Sequence, residues 1–437
     1  MGLRSPVSLP PAMHYPAYRA FWLGMLASVS GFQMLRFGQF WLMYELTGSP
    51  LALGYIGLAN GIPAIFLNLF GGVAADRMDQ RRLIYVTQTI TASLIVILAT
   101  VTFLEMVNIW HLLIISFLAG AVEAFDQPAR RALFPQLIER KDMMSAVALN
   151  SSIWPLTRTM SPAIAGLIIG IAGTAVCFTL AAVGFLIMAA VTFGLRVPPV
   201  TRTGNAGVSK ELLEGLNFIR KDSTFAFLIS MTFFSSFFGN SYQALMPIFA
   251  VDILGVEALG LGFLQSAGAV GSVIVTSWLA FGGGAGSKGP LIMGGAVMSG
   301  LSIAAFALTS QFVGSFYLAM FLMLAVGVFN TGFTTASQSA LQMMVPDHIR
   351  GRVMGFYGMT YNIRPLGAMQ AGALASVGAI GAPFAVAIGG LAVVAFPVIS
   401  LLVNKKVRNL SQVLRQAEAA RATTGQIQSP APSAAND

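Results

Sequence analysis

The chain has 437 residues, of which 56% are hydrophobic and only 9% are charged. A soluble globular protein carries about 25% charged residues, so this composition excludes one and predicts an integral membrane protein. The single cysteine, Cys177, excludes a disulfide framework, and three histidines far apart in sequence offer no metal site. We therefore expect neither a metal nor another cofactor.

Twelve apolar stretches follow one another along the chain, each of about 20 residues, which is the length that a transmembrane helix needs. We predict spans 1 to 12 at 20–44, 52–74, 83–104, 112–132, 147–171, 175–195, 225–250, 259–281, 291–309, 312–335, 354–377 and 382–403. The protein is thus expected to be an all-α, multi-pass membrane protein.

The basic residues predict the orientation of these spans. With the N-terminus in the cytoplasm, 22 of the 25 lysines and arginines fall in cytoplasmic segments or, like Arg130 and Arg131, at the cytoplasmic end of a span. The other three, Arg36, Arg158 and Arg364, lie within spans. Positive charge concentrates on the cytoplasmic side of membrane proteins, so both termini are predicted to be cytoplasmic in a cytoplasmic (inner) membrane. The net charge of +9 therefore indicates topology rather than nucleic-acid binding.

An internal duplication divides the spans into two groups of six. Glu45 and Gly48 after span 1 match Asp252 and Gly255 after span 7, in each case 207 residues later. We expect a cytoplasmic N-terminus at 1–17, six-helix bundles at 18–196 and 224–404, a linker at 197–223, and a mostly disordered tail at 405–437.

The linker carries a pattern typical of an amphipathic helix. Leu212, Leu216 and Ile219 share one helical face, opposite charged residues. Such a helix would lie along the inner membrane surface; a solvated linker helix is an equally good interpretation.

The loop after span 2, "GGVAADRMDQRRL", and the twelve-span duplicated plan resemble the major facilitator superfamily. In that superfamily a glycine packs two helices closely at this loop, and an acid with basic residues latches the cytoplasmic helix ends. The matching residues are Gly72, Asp76, Arg77, Arg81 and Arg82. Asp79 and Gln80 depart from the usual pattern. Plain positive-inside anchoring would explain the arginines but not the adjacent acid, so we predict a latch that holds the outward-open state.

Four further stretches, "YELTGSPLALG", "AFDQPARRALFPQLI", "SAVALNSSIWPLTRTMSPAIAG" and "VPDHIRGRVMG", resemble the branch of the superfamily that includes the enterobactin exporter and macrolide efflux proteins. The resemblance implies two pseudo-symmetric six-helix bundles and favours export.

Span 4 contains two acids, Glu123 and Asp126, which share a helix face at spacing i, i+3. Arg158 in span 5 is placed at a similar depth, and a charge inside the membrane requires a partner. Asp126 or Glu123 is expected to neutralise Arg158; we predict an Asp126–Arg158 ion pair, which could serve helix packing alone. Both acids are proton-coupling candidates, and Glu123 is the better one because it is left without a committed partner.

Other polar residues occupy equivalent positions of the two halves and predict a central cavity between them. The candidates for lining it are Gln33, Arg36, Asn240, Gln243, Asn330 and Arg364. Asn330 stands where Asp126 stands in the first half, so Arg364 has no neighbouring acid. An uncommitted arginine favours an anionic or hydroxyl-rich ligand, unless it binds backbone carbonyls or Glu123.

The sequence favours a transporter over other membrane proteins. A membrane enzyme would need a nucleophile, base or metal cluster, and a receptor or scaffold would carry large soluble loops. We predict a monomeric secondary active transporter that exports a small amphiphilic molecule (siderophore-like, macrolide or drug-like) by alternating access with proton antiport. A proton-coupled importer is the alternative, and a non-transporting receptor is a distant one.

Overall fold

The computed structural model describes residues 10–195, 219, 223–282, 288–412, 414 and 416. This described part consists of helices and connecting turns and contains no strand. Nine of its helices are long and apolar enough to cross a membrane, judged by length and composition. The other three spans are span 1 and two spans that are broken into shorter helical segments, so the bundle contains the expected twelve.

The observed spans lie close to the predicted ones. Spans 1 to 6 are Pro16–Thr47, Pro50–Arg77, Gln80–Phe103, Ile109–Leu133, Met143–Ala172 and Thr174–Gly194. Spans 8, 9, 10 and 12 are Ala258–Ala280, Lys288–Val313, Phe316–Met344 and Gly381–Val403.

The boundary between spans 9 and 10 was predicted too early in the chain. Phe312 and Val313 belong to span 9, the chain turns at Gly314 with φ +64°, and Ser315 caps span 10 by accepting a hydrogen bond from the Leu318 amide. The apolar run continues across this turn, so hydropathy did not mark it.

Spans 7 and 11 are the broken ones. Span 7 consists of Ser223–Phe234, a π-helical turn at Ser235–Gly239, Tyr242–Ile248 and a second π-helical turn at Phe249–Ile253. Span 11 consists of Asp347–Met359, a 3-10 turn at Thr360–Ile363 and Arg364–Ala375.

The duplication seen in the sequence is also visible in the backbone. Gly48 and Gly255 both have positive φ, +58° and +63°, at the ends of spans 1 and 7. Glycine is favoured there because a left-handed residue ends a helix without a Cβ clash. The two halves therefore end their first span with the same turn.

We call the side of the bundle where span 1 begins and span 12 ends the termini side, and the other the opposite side. The two halves pack through span 2 against span 11 and span 5 against span 8. The halves approach each other closely toward the opposite side. A side chain on Gly372 would meet the backbone of Pro50, and a side chain on Gly166 would meet the backbone of Ala258.

Toward the termini side the halves diverge. The termini-side segment of span 11, Asp347–Met359, packs against spans 7 and 10 of its own half. Gly72 in span 2 has open space around it. At the opposite side, the Tyr44 hydroxyl at the end of span 1 donates a hydrogen bond to Asp252 at the end of span 7. The interior is therefore closed at the opposite side and reached from the termini side.

The beginning of the tail packs onto the second half. Val407, Leu410 and Leu414 are buried in a core cluster that also contains Ile219, a described residue of the predicted linker. The predicted linker residues Leu212 and Leu216, and tail residues 417–437, lie outside the described residues.

Candidate functional site

A cavity of about 520 Å³ lies between the two halves. All six residues predicted to line a central cavity do so: Gln33, Arg36, Asn240, Gln243, Asn330 and Arg364. Glu123 and Arg158 line it as well. The structure thus brings together polar groups from both halves, while their contact with a substrate remains a prediction.

The breaks in spans 7 and 11 place polar side chains at this cavity. Asn240 directly follows the first π-helical turn of span 7, and its side-chain amide donates to the Ser235 carbonyl oxygen at 3.1 Å. Arg364 directly follows the 3-10 turn of span 11. Interrupted helices at the centre of the membrane are typical of substrate sites in transporters.

Three arginines, Arg36, Arg158 and Arg364, line the cavity, and none of them forms an ion pair with an acid among the described residues. The guanidinium carbon of Arg36 lies 5.8 Å from the centroid of the Phe32 ring, and that of Arg364 lies 4.9 Å from the centroid of the Tyr361 ring. The Nε of Arg364 is buried and has no hydrogen-bond partner. Within the described part of the chain, Arg158 forms no ion pair and no side-chain hydrogen bond.

The predicted Asp126–Arg158 ion pair was wrong. Asp126 pairs with Arg130, one turn further along span 4, and also accepts hydrogen bonds from Thr87 at 2.8 Å and Gln88 at 2.9 Å. Asp126 is 2% and Arg130 8% exposed. The topology count had assigned Arg130 to a loop; its i, i+4 spacing from Asp126 was the signal that could have identified the pair.

This ion pair belongs to a network that joins spans 1, 3 and 4. Arg130 also donates to the Ser28 hydroxyl at 2.8 Å, and Ser28 donates to the Gln88 side-chain oxygen at 2.7 Å. Asp126 is therefore fully engaged in a structural network, which leaves Glu123 as the better proton-coupling candidate.

The second half contains an uncharged counterpart of this network. Asn330 donates to the hydroxyls of Ser235 at 3.2 Å and Ser299 at 3.5 Å, and so links spans 10, 7 and 9. Ser235 lies 207 residues after Ser28, the same offset as in the sequence duplication. Equivalent spans of the two halves are thus joined at the same place. The first half uses the Asp126–Arg130 ion pair, and the second uses the Asn330 amide and serine hydroxyls.

A second, smaller cavity of about 290 Å³ lies inside the first half, between spans 1, 4 and 5. It contains Asp126, Arg130 and Asn150, and it shares Glu123 and Gln127 with the central cavity. Glu123 accepts a hydrogen bond from Gln127 at 3.3 Å. The Glu123 side chain therefore borders both cavities.

The predicted latch is only partly assembled. Gly71, not Gly72, is the glycine that packs closely here, since a side chain on it would meet the Ala124 backbone of span 4. Arg81 donates to the Thr192 carbonyl oxygen at 2.8 Å and so ties span 3 to span 6, while Asp76 and Arg82 are exposed. The latch with Gly72, Asp76, Arg77, Arg81 and Arg82 thus remains a prediction for the state in which the termini side is closed.

Several lining residues were missed by the sequence reasoning. They are Asn60, Trp154, Gln265, Thr331, Tyr361 and Asn362. Their signal was available, because a polar side chain in an otherwise apolar span usually faces the bundle interior. Asn60, for example, donates to the Gln39 side-chain oxygen at 3.3 Å, inside the first half.

Similar proteins of known activity are transporters. The chain is 22% identical to the staphyloferrin A transporter of Staphylococcus aureus, over 84% of this chain and 91% of that protein. It is 22% identical to macrolide efflux protein A of Streptococcus pyogenes, over 80% and 87% of the two chains. It is 25% identical to the enterobactin exporter EntS of Shigella boydii, over 93% and 96%.

A solved structure shares the fold. It is the inward-facing, unoccupied form of a bacterial homologue of the human lysosomal transporter Spinster, with a TM-score of 0.70, 15% identity, and coverage of 94% of this chain and 99% of that chain. The family described as "Transmembrane secretion effector" matches residues 8–427. The chain therefore belongs to this family of the major facilitator superfamily and is a multi-pass membrane transporter rather than an enzyme.

Proposed function

We propose that this transporter exports a small amphiphilic molecule, siderophore-like, macrolide or drug-like, across the cytoplasmic membrane by alternating access. The observation that carries the proposal is a cavity between the halves, into which both halves project polar side chains. The similar transporters of staphyloferrin A, macrolides and enterobactin support the proposed substrate range. Two of them, an efflux protein and an exporter, support the proposed direction.

The termini side is proposed to be the cytoplasmic side, because nearly all basic residues belong to it. The state described above then has a cavity that is accessible from the cytoplasm and closed to the outside. This is the state in which an exporter binds its substrate, and one chain provides the whole cavity, as expected for a monomer.

Glu123 is proposed to bind the coupling proton. Its carboxylate borders the central cavity, accepts a hydrogen bond from Gln127 and has no ion pair within the described residues. A substrate hydroxyl or amine can bind to the ionised carboxylate, and a proton on Glu123 removes this acceptor. Proton and substrate then exclude each other, as antiport requires.

The test uses inverted membrane vesicles with an imposed pH gradient. The probes are radiolabelled erythromycin and radiolabelled iron-free enterobactin. We expect Glu123→Gln to abolish accumulation against a gradient, while downhill flux persists, because Gln cannot carry the proton. Glu139→Gln is the matched control, since Glu139 pairs with Lys141 at 2.8 Å in an exposed loop. Accumulation by the Glu123→Gln protein at the control's level would reject the assignment.

Import by proton symport is the second candidate, and one observation favours it. Glu123 shares its cavity with three arginines, so a proton on Glu123 would increase the attraction for an anion, and the two could bind together. Right-side-out vesicles with an inward proton gradient separate the candidates: uptake of the probe into them indicates import, and uptake confined to inverted vesicles indicates export.

A further inference from the structure

We propose that the central cavity binds an organic anion with at least two acidic groups, held between Arg158 of the first half and Arg364 of the second. The inference rests on the proposed transport through this cavity and names the chemical class of its substrate. It also gives Arg158 a different role from the ion pair that the sequence suggested.

The charge balance of the cavity is the first reason. The described charged residues that line it are Arg36, Arg158, Arg364 and Glu123. They leave two positive charges in excess when Glu123 is ionised and three when it is protonated. The cavity therefore attracts anions in both protonation states. The proposed antiport then requires that a hydroxyl or amine of the same ligand bind the ionised Glu123, while its acidic groups bind the arginines.

The unsatisfied guanidinium groups are the second reason. Arg364 holds a buried Nε without a hydrogen-bond partner, and its observed contact is with the face of Tyr361. Arg158 has no ion pair or side-chain hydrogen bond within the described residues. The buried Nε of Arg364 is costly unless it is paired, whereas the Arg158 side chain is exposed in the cavity and is free to contact a ligand. A carboxylate matches the planar donors of a guanidinium in pairs.

The position of the two arginines is the third reason. They lie 206 residues apart in sequence, on spans 5 and 11, and these spans form part of the contact between the halves. Both guanidinium groups line the same cavity, and like charges that share a cavity repel each other. A ligand with two acidic groups would remove this repulsion and favour the approach of the halves at the termini side.

The rest of the lining suits the remainder of such a ligand. Asn240, Gln243 and Asn330 supply neutral donors and acceptors, and the rings of Phe32 and Trp154 pack edge-to-face at 6.0 Å on the side of the first half. An amphiphilic anion could place its acidic groups on the arginines and its apolar part against these rings.

The first test measures the charge preference of the cavity without knowledge of the substrate. Ser272 lines the cavity, and the native Cys177 is buried, so Ser272→Cys provides one reactive thiol. The rates of its modification by anionic methanethiosulfonate ethylsulfonate and by the cationic ethyltrimethylammonium reagent are compared. We expect the anionic-to-cationic rate ratio to fall at least tenfold when Arg158→Gln and Arg364→Gln are combined. Arg140→Gln, in an exposed loop, is the matched control.

The second test measures binding, with citrate as the anionic probe. Citrate is expected to protect Ser272→Cys from a neutral maleimide, and either single arginine variant should raise the half-protecting concentration at least tenfold. An unchanged rate ratio in the double variant, or citrate protection that is absent or insensitive to both arginines, would overturn the proposal. Neither test requires transport. If the protein does not export the probes but the cavity still prefers anions, the proposed function is rejected and the anion-binding proposal stands.

Discussion

Asp126 and Arg130 show how a membrane span can retain an ion pair. The Asp126 carboxylate accepts hydrogen bonds from Thr87 and Gln88, and Arg130 adds a bond to Ser28. These partners compensate the desolvation of both charges, which an isolated pair in hydrocarbon would not achieve. The second half makes the same connection with Asn330 and two serines, so a charge is not essential to this junction of spans.

This comparison predicts the effect of neutralising the pair. Asp126→Asn leaves Arg130 buried without its counter-charge and should destabilise the first half by about 3–5 kcal/mol, the usual cost of breaking a buried ion pair. The double variant Asp126→Asn with Arg130→Gln should regain most of this loss, because amides then replace both charges. Thermal unfolding in detergent measures the difference.

Asn330→Ala is the control for this prediction, since it removes amide hydrogen bonds without creating a buried charge. A double variant that is less stable than Asp126→Asn alone would show that the charge itself, and not its pairing, stabilises the junction.

Span 2 is an element with two different tasks. Toward the opposite side it packs against span 11, where Gly61 lies against Pro365, and toward the termini side Gly71 packs against span 4. Gly72 faces open space. The latch hypothesis requires a helix to approach Gly72 when the termini side closes. A small residue at this position would then leave room for that helix.

Gly72→Val therefore separates the two states. The valine has room in the present structure, so folding and melting temperature should be unchanged. Closure of the termini side would bring a helix against the new side chain, and the transport rate should fall at least tenfold, since about 1.4 kcal/mol of clash already changes an equilibrium tenfold. Transport of the chosen probe by vesicles measures this.

Gly170→Val in span 5 is the matched control, because Gly170 also has no neighbour within 4 Å and lies toward the opposite side. A Gly72→Val protein that transports as fast as this control would contradict the latch.

The molecule as a whole is held in its present state by contacts at the opposite side. Tyr44 of the first half donates to Asp252 of the second, at the ends of the two equivalent spans 1 and 7. An export cycle must break this bond to release its substrate. For an anionic substrate, an inside-negative membrane potential favours the outward step by about 2.3 kcal/mol per charge per 100 mV, so the proposed ligand class and the proposed direction agree.

Tyr44→Phe should shift the molecule toward the state that is open at the opposite side. This bond lies in an exposed position, where a hydrogen bond contributes about 0.5–1.5 kcal/mol, so the equilibrium should change by about two- to tenfold. Spin labels on Leu46→Cys and Leu259→Cys, both exposed near the opposite side, report the separation of the halves by pulsed electron spin resonance.

A longer distance should gain population in Tyr44→Phe and not in Tyr55→Phe, which removes a hydroxyl from a tyrosine of span 2 that is 43% exposed. Identical distance distributions in the two variants would show that this bond does not hold the halves together.

Hydropathy and residue spacing were enough to predict the twelve spans, their duplication and six polar residues that line the central cavity. Hydropathy is a local property, and a polar side chain such as Asn240 in an apolar span turns inward whatever its exact neighbours are. The spacing of Asp126 and Arg130 allows their pairing, but the choice between Arg130 and Arg158 required the packed helices, because groups at similar depth compete and the rotation of each helix selects the partner. The tertiary structure was also needed to see that the bundle is open at the termini side. Both states of a transporter share one sequence and differ only in how the two halves pack.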